Sequence, residues 1–194
     1  MKHVAVEAAI QEKKTVGFWV YLMTDLVLFA SLFATFAVLR NNTAGGPGGS
    51  ELFDMPFVLL ETMILLTSSF TVGLAILGSH RGYNKQTIFW LIVTFALGAA
   101  FLSLELSEFS HLAAEGNSWQ RSGFLSAFFT LVGTHGLHIA IGLLWLAVMV
   151  VRLIKSKFKK TDLNRLALFG LFWHFLDVVW IFIFTIVYLI GGMA

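Results

Sequence analysis

Cysteine is absent from the 194-residue chain. Disulfides, thiolate metal sites, thioether-linked haem and iron–sulfur clusters are therefore excluded together, which leaves little for redox chemistry carried by this chain alone. Charge is scarce as well, at 12% of residues, where a water-soluble domain of this length carries roughly 25% to solvate its surface. Only two prolines occur, Pro47 and Pro56, and neither falls inside a long apolar run. Apolar residues are abundant instead, at 58% with a mean hydropathy of +0.83. The composition is that of a membrane protein. The net charge of +2 does not indicate nucleic acid, because the basic residues fall in short segments between apolar runs, which is a topology signal.

Five apolar runs, 18–39, 57–78, 87–109, 124–151 and 166–190, are each 22 to 28 residues long, and about 20 residues of helix cross the hydrocarbon core. They are continuous, unlike the roughly 10-residue alternating strands of a membrane barrel. The fold class is therefore all-α, an integral membrane bundle of five transmembrane helices. A segment over 1–16 leads into a single transmembrane domain over 17–194. The first run is too long for a signal-peptide core and lacks a small-residue cleavage site, so it reads as a retained helix in a chain that starts near Met1.

Eleven Lys and Arg residues lie before the first run and in the second and fourth loops, against two, Arg40 and Arg121, in the others. Basic residues stay on the cytoplasmic side during insertion, which predicts a cytoplasmic N-terminus and a periplasmic C-terminus. Trp19, Trp90 and Trp173 then lie near inner helix ends, and Trp119 and Tyr188 near outer ones, as aromatic belts require. The basic cluster over 155–160 reads as a topogenic segment resting on anionic lipid. The glycine-rich outer loop Thr43-Ala44-Gly45-Gly46-Pro47-Gly48-Gly49 lacks the Gly-Lys-Ser/Thr ending of a phosphate loop and joins no strand to a helix. No internal repeat of the kind found in inverted-repeat transporters is visible.

Ionisable residues at membrane depth are costly and face the protein interior. Asp25, Glu61, Glu105 and Asp177 fall within the spans, Glu108 lies at a border, and His135, His138 and His174 join them. No Lys or Arg lies inside these spans to neutralise the acids, so the carboxyls are protonated or hydrogen-bonded to His, hydroxyl or water. At about 1.5 Å per residue, Asp25 lies roughly 10 Å from the inner end, and His174 and Asp177 roughly 12 to 17 Å. Glu61 and Glu105 lie within about 6 Å of the outer ends, while His135 and His138 lie roughly 16 to 21 Å in from the outside. An inner Asp25/His174/Asp177 set and an outer Glu61/Glu105 set are therefore expected, with the two histidines near the middle.

His135 and His138, His174 and Asp177, and Glu105 and Glu108 are i, i+3 pairs on single helix faces. His135 and His138 could ligate metal or haem, but bis-His haem ligation in a bundle takes one His from each of two helices. The ordinary reading is that Gly133, Gly136 and Gly142 admit a neighbouring helix while the histidines hydrogen-bond across the seam. His174 and Asp177 read as an orienting pair. No catalytic residue, cofactor-binding residue or metal ligand is assigned. Two other classes remain open on the residues alone: a haem-b membrane anchor using His135 or His138 with His174, and a proton-coupled transporter using Asp25, Glu61 and Glu105. The transporter class favours Gly/Pro-broken spans, which are not seen here.

Three segments carry a family resemblance: Gly17-Phe18-Trp19-Val20-Tyr21-Leu22-Met23-Thr24-Asp25, Gly133-Thr134-His135-Gly136-Leu137-His138, and Trp173-His174-Phe175-Leu176-Asp177-Val178-Val179-Trp180. In this order they resemble the signature of subunit III of haem-copper terminal oxidases, over about residues 17–191. Asn42-Thr43-Ala44-Gly45-Gly46-Pro47 and Arg121-Ser122-Gly123-Phe124-Leu125-Ser126-Ala127-Phe128-Phe129 resemble the bo-type ubiquinol oxidase branch. Mitochondrial-type subunits have seven helices. Five fit the bo-type form, and some bacterial cytochrome c oxidases share that number.

The resemblance implies an accessory subunit of a proton-pumping quinol oxidase of the aerobic respiratory chain, with no redox centre of its own. Haem and copper are expected in subunit I, and subunit II and a small subunit IV are the other partners. Quinol reaches the chain only through the complex. The resemblance further implies stabilisation of the oxidase, support of proton uptake, a phospholipid-filled cleft between helices, and a bacterial inner-membrane location. Asp25 matches a position where many relatives carry a buried glutamate, and its carboxyl reaches about one methylene less far.

Overall fold

The computed structural model describes residues 2–155 and 160–193, with side chains over 12–155 and 161–192. Met1 and most of the basic cluster expected over 155–160 lie outside the described residues. The elements in chain order are α1 (Lys2–Leu39), a one-turn helix α2 (Gly49–Leu52), α3 (Met55–His80), α4 (Asn84–Ala114), α5 (Gly123–Lys155) and α6 (Lys160–Ile183). The chain then winds as a π-helix over Phe184–Ile190 and closes with a 3₁₀ turn, Gly191–Met193. No strand occurs among the described residues. Five helices are long and apolar enough to cross a membrane: Glu12–Leu39, Met55–His80, Asn84–Ala114, Gly123–Lys155 and Thr161–Ile190.

Each helix outruns its apolar run, because local backbone chemistry and not the edge of the hydrocarbon ends it. Pro56 stands in the first turn of α3, where its missing N–H costs nothing. Gly82 and Gly116, at φ 76° and 81°, take the left-handed conformation that glycine adopts readily, and they terminate α3 and α4. At the start of α5 the Ser122 hydroxyl accepts the Leu125 N–H at 3.1 Å, an N-cap. Arg152 and Lys155, read as loop residues from hydropathy, belong to the last turn of α5, where cations complement the helix dipole.

The helices close into a ring in the order α1, α5, α4, α3, α6, with α5 also touching α6 across it. Large apolar side chains such as Val27, Phe70, Leu144 and Val148 point outward, and lipid is their solvent. Inside, Trp173 fills a notch between two helices. A Cβ on Gly98 of α4 or Gly142 of α5 would come within 2.9 Å of its ring. Gly142 therefore admits a neighbour as expected, whereas Gly133 has only Phe109, at 3.6 Å, beside it.

Two of the expected belt aromatics are core residues instead. Trp173 and Tyr188 are buried, because the indole N–H and phenol O–H find partners on adjacent helices rather than at the headgroups. Trp19 and Trp119 remain exposed. At the 155–160 end, buried Asp162 lies 3.5 Å from Arg152 Nε and 3.8 Å from an Arg165 guanidinium nitrogen. This clasp joins the end of α5 to the start of α6.

Replacing Gly98 by Ala forces a methyl against Trp173. The expected cost is about 1–3 kcal/mol of stability, read as an earlier unfolding midpoint of the detergent-solubilised protein. Gly73→Ala, where nothing lies within 4 Å, is expected to be neutral or to stabilise by up to about 1 kcal/mol.

Candidate functional site

The polar residues of the spans form three groups at different heights. The first joins α1 to α5. Leu22, Asp25, Phe29 and Phe36 make one buried stripe of α1, spaced as a single helix face requires. On it, Asp25 Oδ1 lies 3.8 Å from His138 Nε2. His138 Nδ1–H donates to the Thr134 carbonyl at 2.7 Å, which aims Nε2 at the carboxyl, and the Phe29 ring packs on the imidazole at 5.2 Å. Asp25 Oδ2 is buried without a hydrogen-bond partner. At 3.8 Å the contact is longer than a hydrogen bond, and it is an ion pair when the imidazole carries a proton.

The second group joins α6 to α3. His174 Nδ1 and the Ser69 hydroxyl are hydrogen-bonded at 2.6 Å, and the same hydroxyl serves Asp177, so the i, i+3 pair is organised by one serine. Next to it, Trp173 Nε1–H donates to Ser68 Oγ at 3.0 Å, and two turns along α6 Trp180 Nε1–H donates to Thr62 Oγ1 at 3.0 Å. The expected inner set is thus divided. Asp25 meets His138, and His174 and Asp177 meet Ser69, because residues at one height stand on helix faces turned toward different neighbours.

The third group contains Glu61 and Glu105, brought together as expected, with Glu108 and Tyr188 added. Glu61 of α3 and Glu105 and Glu108 of α4 interact electrostatically, and the Tyr188 hydroxyl donates to Glu108 Oε2 at 3.0 Å. Gly136 of α5 makes the room, since a Cβ there would stand 2.5 Å from Glu105 Oε1. Beside Gly136 in sequence, His135 Nε2–H donates across the seam to the Leu176 carbonyl at 3.2 Å. Its ring lies 5.1 Å from Trp180 and 5.8 Å from Phe101. His135 and His138 thus have separate partners rather than a common ligand position. Among the described residues no group of three or more His, Cys, Asp or Glu could hold a metal ion.

Beside the second group, a cleft of about 470 Å³ opens between α1 and α6. Trp19, Phe33, Phe175 and Phe182 line it, and His174 is its polar wall. Its chemistry suits an acyl chain. Ser68, Ser69, Thr62 and Tyr188 are the contributors that sequence reading passed over. The small-residue run Thr67-Ser68-Ser69 inside a span was the available signal for the serines, since such residues mark helix interfaces in membranes.

The family described as cytochrome c oxidase subunit III matches residues 3–192. The chain is 56% identical over 177 residues to cytochrome bo(3) ubiquinol oxidase subunit 3 of Pseudomonas aeruginosa, covering 91% of this chain and 85% of that one. It is 47% identical to quinol oxidase subunit 3 of Bacillus subtilis, covering 90% and 86%. It is also 47% identical to cytochrome c oxidase subunit 3 of Bacillus sp. strain PS3, covering 93% and 87%. With the family match spanning nearly every residue of a five-helix membrane bundle, the chain belongs to the cytochrome c oxidase subunit III family, the subunit III of haem-copper oxidases.

Proposed function

We propose that this chain is the accessory subunit III of a quinol oxidase in the aerobic respiratory chain of a bacterial inner membrane. In that role it binds subunits I, II and a small subunit IV, stabilises the complex, and carries no redox centre. Quinol oxidation and reduction of oxygen to water take place in its partners, with haem and copper in subunit I. The observation that carries this reading is the 56% identity to a bo(3) ubiquinol oxidase subunit 3 over 85% of that protein. The count of basic loop residues supports a cytoplasmic N-terminus and a periplasmic C-terminus. The Bacillus PS3 relative favours a second reading, in which cytochrome c is the donor.

Within the complex, Asp25 and His138 support proton uptake by the neighbouring subunit. The carboxyl and Nε2 exchange a proton once a water bridges their 3.8 Å separation or the side chains close it, and Thr134 holds the imidazole in register. His174, Asp177 and Ser69 orient α6 against α3 beside the α1–α6 cleft, which an acyl chain of membrane phospholipid occupies.

A tag on this chain is expected to bring down haem-containing protein from native membranes, with oxygen consumption driven by ubiquinol. Recovery of the chain free of haem, or activity with reduced cytochrome c alone, rejects the respective reading. Asp25→Asn is expected to leave assembly intact while slowing proton uptake and shortening the working lifetime of the enzyme several-fold. His138→Ala should do the same, and the double variant should be no worse than either single one, because the two side chains act as one unit. Additive losses, or uptake kinetics matching the parent, rule out the paired role.

A further inference from the structure

The end of the bundle bearing the 40–54 and 115–122 loops contains acids with no buried counter-charge. Glu61 and Glu105 are 0% and 2% exposed. Both oxygens of Glu61 and Oε2 of Glu105 lack any hydrogen-bond partner. These two and Glu108 are all within electrostatic reach of one another. The surrounding walls are apolar, with Phe53, Phe128 and Trp180 packed about Tyr188. Three ionised carboxylates in such surroundings repel strongly, since little solvent screens them. Some positive species must be shared among them. A proton does this at least cost, because a carboxylic acid carries no charge into an apolar surrounding.

An opening leads to the cluster. A cavity of about 330 Å³, lined by Glu51, Asp54, Ser107, Glu108, His111 and Glu115 among others, ends on Glu108. The ionisable groups facing the cluster are Glu51 of α2, Asp54 ahead of α3, His111 and Glu115 of α4 and beyond, His135 of α5, and Tyr188. His111 lies 3.3 Å from Glu115, and His135 is bonded away toward Leu176. Tyr188 sits in the seven-residue π-helix, a winding that is rare and concentrated at functional sites.

We propose that Glu61, Glu105 and Glu108 form a proton-binding site served by water in this cavity and opening on the outer aqueous phase. A hydronium ion entering the cavity transfers its proton to the Glu108 carboxylate and leaves as water. The proton is then shared with Glu105, one helical turn away, and with Glu61 across the α3–α4 seam. The Tyr188 hydroxyl holds Glu108 at the junction between the cavity and the buried pair. The outward direction rests on the orientation proposed above, and the site itself does not.

Infrared difference spectra of the purified complex in lipid nanodiscs, recorded across a pH step in H2O and in D2O, test this. Carboxylic-acid C=O bands that shift in D2O are expected. Glu61→Gln and Glu105→Gln should each remove part of them, and Tyr188→Phe should displace the Glu108 component. Spectra unchanged by both Gln variants overturn the proposal. Should either variant fail to assemble, Glu108→Gln decides, because it must slow D2O exchange of the remaining bands several-fold, and unchanged exchange overturns the site. In proteoliposomes the bands should follow the outer pH, and a response to inner pH alone overturns the outward opening. A haem spectrum of the same sample separates the readings. Missing haem rejects the oxidase assignment and leaves the bands standing, whereas unchanged bands in a haem-containing complex reject the site alone.

Discussion

Three hydrogen bonds across the α3–α6 seam fix the register from which the other polar contacts follow. Trp173 meets Ser68, His174 meets Ser69, and Trp180 meets Thr62. Over the two turns from Trp173 to Trp180 the partner on α3 falls from Ser68 to Thr62, the signature of an antiparallel pair. Each bond contributes modestly, about 0.6 kcal/mol on average for side chains inside a membrane. The constraint comes from the alternative. A slip of one turn would leave two indole N–H groups and an imidazole facing hydrocarbon, with no water to take their place.

Once α6 is held, much else follows. Trp173 enters the slot left open by Gly98 and Gly142. The Leu176 carbonyl reaches His135. The continuation of α6 into the π segment puts the Tyr188 hydroxyl on Glu108. Glycine and hydroxyl residues thus do opposite jobs at the same interfaces. Gly98, Gly136 and Gly142 give space to bulky or charged groups, while Ser68, Ser69 and Thr62 give them partners.

Length and hydropathy made the five spans legible, because a helix must cover the hydrocarbon and no water is available to a broken one. Height along the membrane was legible too, which is why Glu61 and Glu105 meet as expected. Rotation about each helix axis was not. Asp25 has the depth of a partner for His174, but it lies on the α1 face directed at α5, so it meets His138 instead. Aromatic position misled for the same reason. Tyr188 and Trp173 lie near helix ends in sequence, yet their faces are turned inward. Helix ends were set by Gly82 and Gly116, a signal carried by backbone conformation and not by apolar content.

The polar interior is divided rather than continuous. Between the Asp25–His138 pair and the acids around Tyr188 lies an aromatic layer. In it Phe101 stands edge-on to Trp180 at 4.7 Å, and His135 packs against both, 5.1 Å from Trp180 and 5.8 Å from Phe101. His135 Nδ1 has no partner there, and its Nε2 is committed to a backbone carbonyl. Among the described residues no side-chain hydrogen bond links the two regions through this layer. A proton path across the bilayer needs an unbroken series of donors and acceptors, and among the described side chains the series stops at packed rings. Proton binding at either end is then compatible with a tight membrane. That separation gives the two polar ends independent surroundings, so a change of charge at one is not passed to the other through hydrogen bonds of the described side chains.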